Sequence, residues 1–315
     1  MTIEKFNSGH IEEAAKIAVD NYKNQRSYAA ALPDEDYYSI ICDKISITAE
    51  KGIGIAALQG GKLAGYMVFM EPWDNHFGLV RGTFSPIHAH GALNGAGEKL
   101  YSKMYQNIAE IMVKGGIYSH ALDMYASDKK SLASFVLNGF GIRCFAAVRP
   151  MEKLEADYGD YEYKELKRGE FGSILPLVNL LANHLRKSPS FMNFKEFSED
   201  GFEKAYSKRE CRIFGAYDKG RLIAYLETCG EGENFTCFHP HTQNICGAYL
   251  YPEYRGKGIY EGLMNFAIEI FSGEGYKRLA VDGETLNPTA KNFWGKYFDI
   301  YTYGIIRRID ERIKL

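Results

Sequence analysis

The residues most able to do chemistry lie in Tyr249-Leu250-Tyr251-Pro252-Glu253-Tyr254-Arg255-Gly256-Lys257-Gly258-Ile259-Tyr260. A short apolar, β-rich run stops at Pro252. A tight basic turn, Arg255-Gly256-Lys257-Gly258, follows. Ile259, Leu263, Phe266, Ala267, Ile270 and Phe271 then repeat at the spacing of one helix face. A strand, a glycine-rich turn and a helix start present a row of backbone N–H groups to an anion. Glycines allow close approach of the backbone, and Arg255 and Lys257 add positive charge. Two familiar phosphate loops are excluded. A Walker loop requires Gly-x-x-x-x-Gly-Lys-Ser/Thr, but Ile259 follows Gly258. A dinucleotide loop requires Gly-x-Gly-x-x-Gly, and Gly256, Gly258 and Gly262 are spaced differently.

The elements around this turn recur. The chain has 315 residues, which suggests two domains. Thr2 to Phe6 reads as a strand, and Ile11 to Tyr22 as a helix. Tyr38 to Ile41 lies in a second helical stretch. Gly54 to Leu58 and Leu63 to Met70 read as a hairpin about Gln59-Gly60-Gly61-Lys62. Gly82 to Ile87 is a further strand, Leu100 to Met112 a long amphipathic helix, Tyr118 to Tyr125 a strand, Lys129 to Leu137 a helix and Ile142 to Val148 a last strand. The second half repeats this plan. Gly61-Lys62-Leu63-Ala64-Gly65-Tyr66 matches Gly220-Arg221-Leu222-Ile223-Ala224-Tyr225, Ser8-Gly9-His10-Ile11 matches Arg168-Gly169-Glu170-Phe171, and Phe140 to Arg149 runs parallel to Phe298 to Arg307. The polar stretch Glu152 to Tyr161 is the expected seam, with copies at 1–153 and 154–315.

Bulk composition narrows the partners. A formal charge of −2 gives no reason to expect nucleic acid or an anionic membrane. No apolar run approaches the roughly 20 residues of a membrane span. The opening Met1-Thr2-Ile3-Glu4-Lys5 lacks the pattern of a signal peptide. The six cysteines form no Cys-x-x-Cys pair, as expected of free thiols in a cytoplasmic protein. The 23 Tyr and 19 Phe suit a sheet-rich core and a lined pocket.

The turn at Arg255 to Ile259 resembles the Arg/Gln-x-x-Gly-x-Gly/Ala signature of the GNAT superfamily of N-acetyltransferases. Asn287-Pro288-Thr289-Ala290-Lys291-Asn292-Phe293-Trp294 resembles that family's last helix. Tyr303-Gly304-Ile305-Ile306-Arg307-Arg308-Ile309-Asp310 resembles the end of bacterial tandem members. The resemblance implies two α/β domains in tandem, each a mixed, mostly antiparallel sheet flanked by helices. It also implies acetyl-coenzyme A as cosubstrate. Two positions depart from the pattern: Tyr260 stands where Gly or Ala is usual, and Trp294 where the usual acid is Tyr.

The implied site follows residue by residue. Arg255, Gly256, Lys257, Gly258, Ile259 and Tyr260 would receive the pyrophosphate. A backbone N–H among Ala248, Tyr249 and Leu250 would meet the thioester carbonyl. Asn287 would touch the pantetheine or adenine part, or simply begin a helix before Pro288. An acceptor amine titrates near ~10.4 and must lose a proton before attack. Asp282 and Glu284, at the end of the strand Arg278 to Val281, and Glu227, closing the strand Leu222 to Leu226, are the candidate bases. Indole cannot replace a titratable phenol, so Tyr297, Tyr301 and Tyr303 are candidate acids.

In the first copy Asn94-Gly95-Ala96-Gly97 aligns with the basic turn, both cations are gone, and Glu98 is adjacent. That copy is expected to bind coenzyme A poorly and to shape an acceptor pocket or an oligomer interface. His88 and His90, with His120, read as a metal stub without further ligands, as a polar cluster, or as inert surface, and no metal is expected. His239-Pro240-His241 is read in the same way. The implied activity is N-acetyl transfer to a small-molecule or peptide-like amine by direct attack in a ternary complex. The alternative is a non-catalytic acyl-coenzyme A-binding or protein-interaction module.

Overall fold

The computed structural model describes residues 1–93, 95, 97–156 and 159–315. The first half runs β1 (Thr2–Lys5), α1 (Ile11–Arg26), α2 (Tyr38–Lys51), β2 (Ile53–Gln59), β3 (Lys62–Phe69), β4 (Gly82–Ser85), β5 (His90–Ala92), α3 (Gly97–Lys114), β6 (Ser119–Tyr125), α4 (Lys129–Leu137) and β7 (Gly141–Pro150). The second runs β8 (Glu162–Glu165), α5 (Leu175–Arg186), α6 (Glu199–Tyr206), β9 (Cys211–Asp218), β10 (Arg221–Cys229), β11 (Thr242–Leu250), α7 (Ile259–Gly273), β12 (Arg278–Glu284), α8 (Pro288–Tyr297) and β13 (Asp299–Arg308). One plan is thus used twice, with β4 and β5 standing where the second half has the single strand β11. Among the described residues no helix is long and apolar enough to cross a membrane.

The chain folds into two compact units. One is Met1–Phe145 with Ile300–Leu315, and the other is Ala146–Asp299. In the first, β1, β2, β3 and β5 form an antiparallel sheet. β4 lies parallel to β6, and β13 lies antiparallel to β6 with Thr302 opposite Tyr125 and Arg308 opposite Ser119. The last strand of the chain therefore completes the first unit. Met104, Tyr105, Ile108 and Met112 of α3 pack on Met67, Phe69, Leu122, Phe135 and Ile305.

In the second unit β8 to β12 are neighbours in sequence order, antiparallel until β12, which runs parallel to β11. One face of the sheet carries Ile213, Tyr225 and Tyr249 against Ile174, Leu177 and Val178 and against Phe202 and Tyr206 of α6. α7 supplies Ile259, Leu263, Met264, Ala267, Ile268 and Phe271, all buried, while Phe266 and Ile270 are only half-buried. Each of these buried side chains except Ala267 contributes about 1.5–3 kcal/mol by burial, so α7 is held by packing more than by its own propensity. Asn265 joins the seam to this helix: its Nδ2 donates to the Leu154 carbonyl at 3.0 Å, and its Oδ1 accepts from the Leu154 N–H at 2.6 Å.

Candidate active site in the second unit

The basic turn sits between β11 and α7, after a single 3-10 turn at Pro252–Tyr254. Gly256 and Gly258 have φ of 74° and 70°. This left-handed backbone strains any residue bearing a Cβ, which is why glycine occupies both positions. Gly258 is the N-cap of α7 and offers no side-chain cap. The first helical bond runs from the Gly262 N–H to the Gly258 carbonyl at 2.9 Å, so the N–H groups ahead of it are left for an external acceptor. Arg255 is half-buried. Its Nε donates to the Leu250 carbonyl at 3.3 Å, and its guanidinium lies 5.6 Å from the Tyr249 ring centre. Lys257 is exposed, with its ammonium 5.3 Å from the Tyr254 ring centre. Tyr254 in turn donates to Asp218 Oδ2 at 2.8 Å. Charge, glycine backbone and unused donors together fit a pyrophosphate.

Tyr260 points inward. Its hydroxyl donates to the Tyr225 carbonyl at 3.2 Å, and its ring meets Phe293 and Trp294 edge-on at 5.4 and 5.9 Å. Burial pushes this phenol well above its ordinary range. The bulk at position 260 is thus absorbed by the core. Trp294 is 5% exposed and also packs on Phe298. Asn287 is buried and begins α8, with Oδ1 accepting from the Ala290 N–H at 3.4 Å and within 3.1 Å of His184 Nε2. Tyr297 donates to Glu261 Oε1 at 2.8 Å, near the first turn of α7, and burial raises its phenol. Tyr301 and Tyr303 belong to the first unit.

β11 and β12 pair from Thr242 opposite Arg278 to Ile245 opposite Val281, and the register ends there. At the same level β11 bulges against β10: Thr228 faces Ile245, Glu227 faces Gly247, and Cys246 is the extra residue. Beyond the bulge one edge of β11 has no strand beside it among the described residues. The Tyr251 N–H bonds to the Ile223 carbonyl on the β10 side. By the antiparallel alternation, Ala248 and Leu250 turn their backbone groups the other way. The Leu250 carbonyl is taken by Arg255, and the Ala248 N–H faces the opening.

A pocket of about 360 Å³ lies at this opening, lined by Cys229, Glu231, Glu233, Cys237, Asn244, Cys246 and Asp282 among others. Its charged lining is three carboxylates. Asp282 follows the last paired residue of β12; it is open on the pocket side, yet the surrounding protein withdraws enough water to raise its carboxyl above the usual range. Glu227 is different. It is 1% exposed, ion-paired with Arg209 at 2.8 Å, and accepts from the Tyr206 hydroxyl at 2.8 Å. A Cβ on Gly247 would come within 2.8 Å of its Oε2, so a larger residue at 247 would push this carboxylate away from its partners. Glu284 closes β12 and is half-buried. Sequence reasoning singled out Asp282 and Glu227 but missed Glu231 and Glu233. Their only local signal was an acidic, glycine-rich stretch after β10.

In the first unit Asn94 and Ala96 of the aligned turn lie outside the described residues, and Glu98 is exposed in the first turn of α3. His88 is not in a strand: a turn closed by the Ala89 N–H on the Pro86 carbonyl separates β4 from β5. His88 Nε2 lies 3.4 Å from Thr48 Oγ1, and His90 Nδ1 lies 3.0 Å from Ser85 Oγ. His120 Nε2 lies 3.0 Å from the Ile117 carbonyl, which only accepts, so that nitrogen carries the proton and Nδ1 accepts from Tyr105 at 2.9 Å. Among the described residues no group of three or more His, Cys, Asp or Glu could hold a metal ion. The His239 and His241 rings lie 5.8 Å apart, tilted by 46°.

Residues 179–299 match the model of the acetyltransferase (GNAT) family. A GCN5-related N-acetyltransferase from Sphaerobacter thermophilus superposes with a TM-score of 0.62 at 10% identity, over 100% of this chain and 97% of its own. A GCN5-related glucosamine N-acetyltransferase region of a fungal multi-domain GH3 β-N-acetylglucosaminidase superposes with a TM-score of 0.52 at 12% identity, over 97% of this chain and 38% of its own. No curated protein matches the sequence. The domain at residues 179–299 matches the acetyltransferase (GNAT) family, and the fold of the Sphaerobacter thermophilus structure extends over both halves of the chain.

Proposed function

We propose that the second unit is an acetyl-coenzyme A-dependent N-acetyltransferase acting on a small or peptide-like primary amine. The carrying observation is the alignment of two features on β11: a glycine turn with unused N–H groups at its end, and an opening against β12 that leads to a carboxylate-lined pocket. Arg255, Lys257 and the N–H groups from Gly256 to Tyr260 would hold the pyrophosphate. The thioester supplies an activated acetyl group whose carbonyl oxygen would take a hydrogen bond from the Ala248 N–H as charge builds on it.

Glu231, Glu233 and Asp282 would attract a protonated amine. Asp282 is the favoured base, directly or through one water, because its raised carboxyl accepts a proton more readily than an ordinary aspartate. Glu227 is already committed to Arg209 and Tyr206, which favours a positioning role. The amine would attack directly, the carbon–sulfur bond would break, and Tyr297 is the remaining phenol of α8 for the leaving thiolate. The deciding experiment is release of free thiol across a panel of primary amines. Amine-dependent release that falls at least tenfold in Asp282→Asn supports the reading. No release with any amine, from protein that binds acetyl-coenzyme A, overturns it. The burial of Trp294 where a phenol is usual would then favour a non-catalytic acyl-coenzyme A-binding module.

A further inference from the structure

We propose that Cys229 and Cys246 form an oxidisable thiol pair, a modification site at which hydrogen peroxide closes a disulfide between β10 and β11 on the wall of the carboxylate-lined pocket. Cys229 is the last residue of β10, and Cys246 is the unpaired residue of the β11 bulge. A bulge turns its extra side chain off the regular ladder, and here it sets Cys246 two residues past Asn244, the residue opposite Cys229, with both cysteines on the wall of one pocket. Both thiols line the pocket; Cys246 is exposed and Cys229 half-buried, so a small oxidant reaches both.

The neighbourhood separates this pair from the other cysteines. The Cys246 thiol sits 3.7 Å from the Glu227 carbonyl, and Cys229 lies 3.3 Å from the Glu231 carbonyl. Interaction with Cys246, aided by the nearby Arg209 charge, holds the Cys229 thiol down at about 7, while the same interaction and burial push the Cys246 thiol up. Cys211, opposite Cys229 on β9, is instead pushed up to about 11 by burial and by the Glu227 charge. Cys237 lines the same pocket but is buried, with its sulfur 4.0 Å from Thr236 Oγ1. Cys42 and Cys144 are in the other unit. Cys229 is therefore the attacking sulfur and Cys246 the resolving one.

The chemistry balances. The Cys229 thiolate attacks one peroxide oxygen, the O–O bond breaks, and the departing hydroxide takes a proton to become water. Cys229 is then a sulfenic acid. The Cys246 sulfur attacks the Cys229 sulfur, the S–O bond breaks, and a second water leaves. Two thiols have given up two electrons to one peroxide.

The disulfide does not depend on the acetyltransferase reading; only its consequence, loss of amine turnover through a stapled pocket wall, rests on it. The test is the intact mass of the purified full chain after hydrogen peroxide, with peptide mapping under non-reducing conditions. The expected result is loss of two hydrogens, reversed by dithiothreitol, with Cys229 linked to Cys246. The loss should vanish in Cys229→Ser and in the exposed Cys246→Ser, and persist in Cys237→Ser. An unchanged mass, a gain of oxygen alone, or a link to Cys211 or Cys237 would overturn the proposal. Acetyl-coenzyme A binding is measured by thermal shift on the same samples. Binding without a disulfide refutes the thiol pair alone, whereas a disulfide without binding refutes the acetyltransferase reading alone.

Discussion

The Tyr260 hydroxyl donates to the Tyr225 carbonyl at 3.2 Å, tying the first turn of α7 to the central strand beneath it. That inward bond keeps a bulky residue out of the turn where small ones are usual. Tyr260→Phe should keep acetyl-coenzyme A binding and cost about 0.5–1.5 kcal/mol, one buried hydrogen bond. Tyr260→Ala should cost about 3–5 kcal/mol through the cavity it opens. Chemical denaturation with and without ligand measures both. Wild-type stability in Tyr260→Ala would contradict the packing described.

Arg209 and Glu227 form an asymmetric pair, with the carboxylate buried and the guanidinium partly exposed. Arg209→Ala leaves a buried charge short of its partner and should cost about 1–3 kcal/mol. Glu227→Gln keeps the shape and removes the charge. In the Arg209→Ala background it should recover part of that loss, as a double-mutant cycle would reveal.

Four histidines of the first unit titrate low because burial disfavours their charged form: His76, His90 and His120 at about 4, and His88 at about 3. Their folded values lie below the unfolded value of 6.5. Above that pH both states are neutral and the histidines add no pH dependence. Below it the unfolded chain gains protons that the folded chain refuses, so stability falls toward pH 4. Each histidine contributes up to about 1.4 kcal/mol per pH unit in that window. The denaturation midpoint of the first unit should drop between pH 7 and pH 5, and His120→Gln should flatten the slope.

The C-terminal strand belongs to the N-terminal unit. Tyr301 and Ile305 are 0% and 1% exposed, and β13 runs beside β6 over seven register pairs. A chain ending at Asp299 should lose the cooperative melting of the first unit and keep that of the second. Limited proteolysis read by mass spectrometry distinguishes the two. Cleavage starting in the second unit instead would contradict the assignment.

What could be read from the sequence was local. Gly256 and Gly258 announce their backbone directly, and the apolar spacing of α7 announces its buried face. The twofold plan showed because each copy repeats the same order of periods. The fate of β13 was hidden for the reason that revealed the repeat: Phe140 to Arg149 and Phe298 to Arg307 are alike, and alternation fixes which face is buried but not which strand lies alongside. His88 and His90 are two residues apart in sequence, but the turn after Pro86 leaves only His90 in a strand. The pocket was invisible because Glu231 and Glu233 look like solvated loop residues, and only the hairpin brings them to Asp282. The Cys229–Cys246 pair arises from a bulge, which no spacing rule encodes.

The most direct test of the central claim is the thermal shift produced by acetyl-coenzyme A in the wild type and in Arg255→Ala. At ~100 times its dissociation constant a ligand stabilises by about 2.7 kcal/mol. A rise in wild-type Tm that Arg255→Ala sharply reduces, in protein with an unchanged Tm before ligand, is the predicted result. No wild-type shift at saturating acetyl-coenzyme A, or an equal shift in Arg255→Ala, would contradict the assignment of the turn between β11 and α7 as the pyrophosphate site.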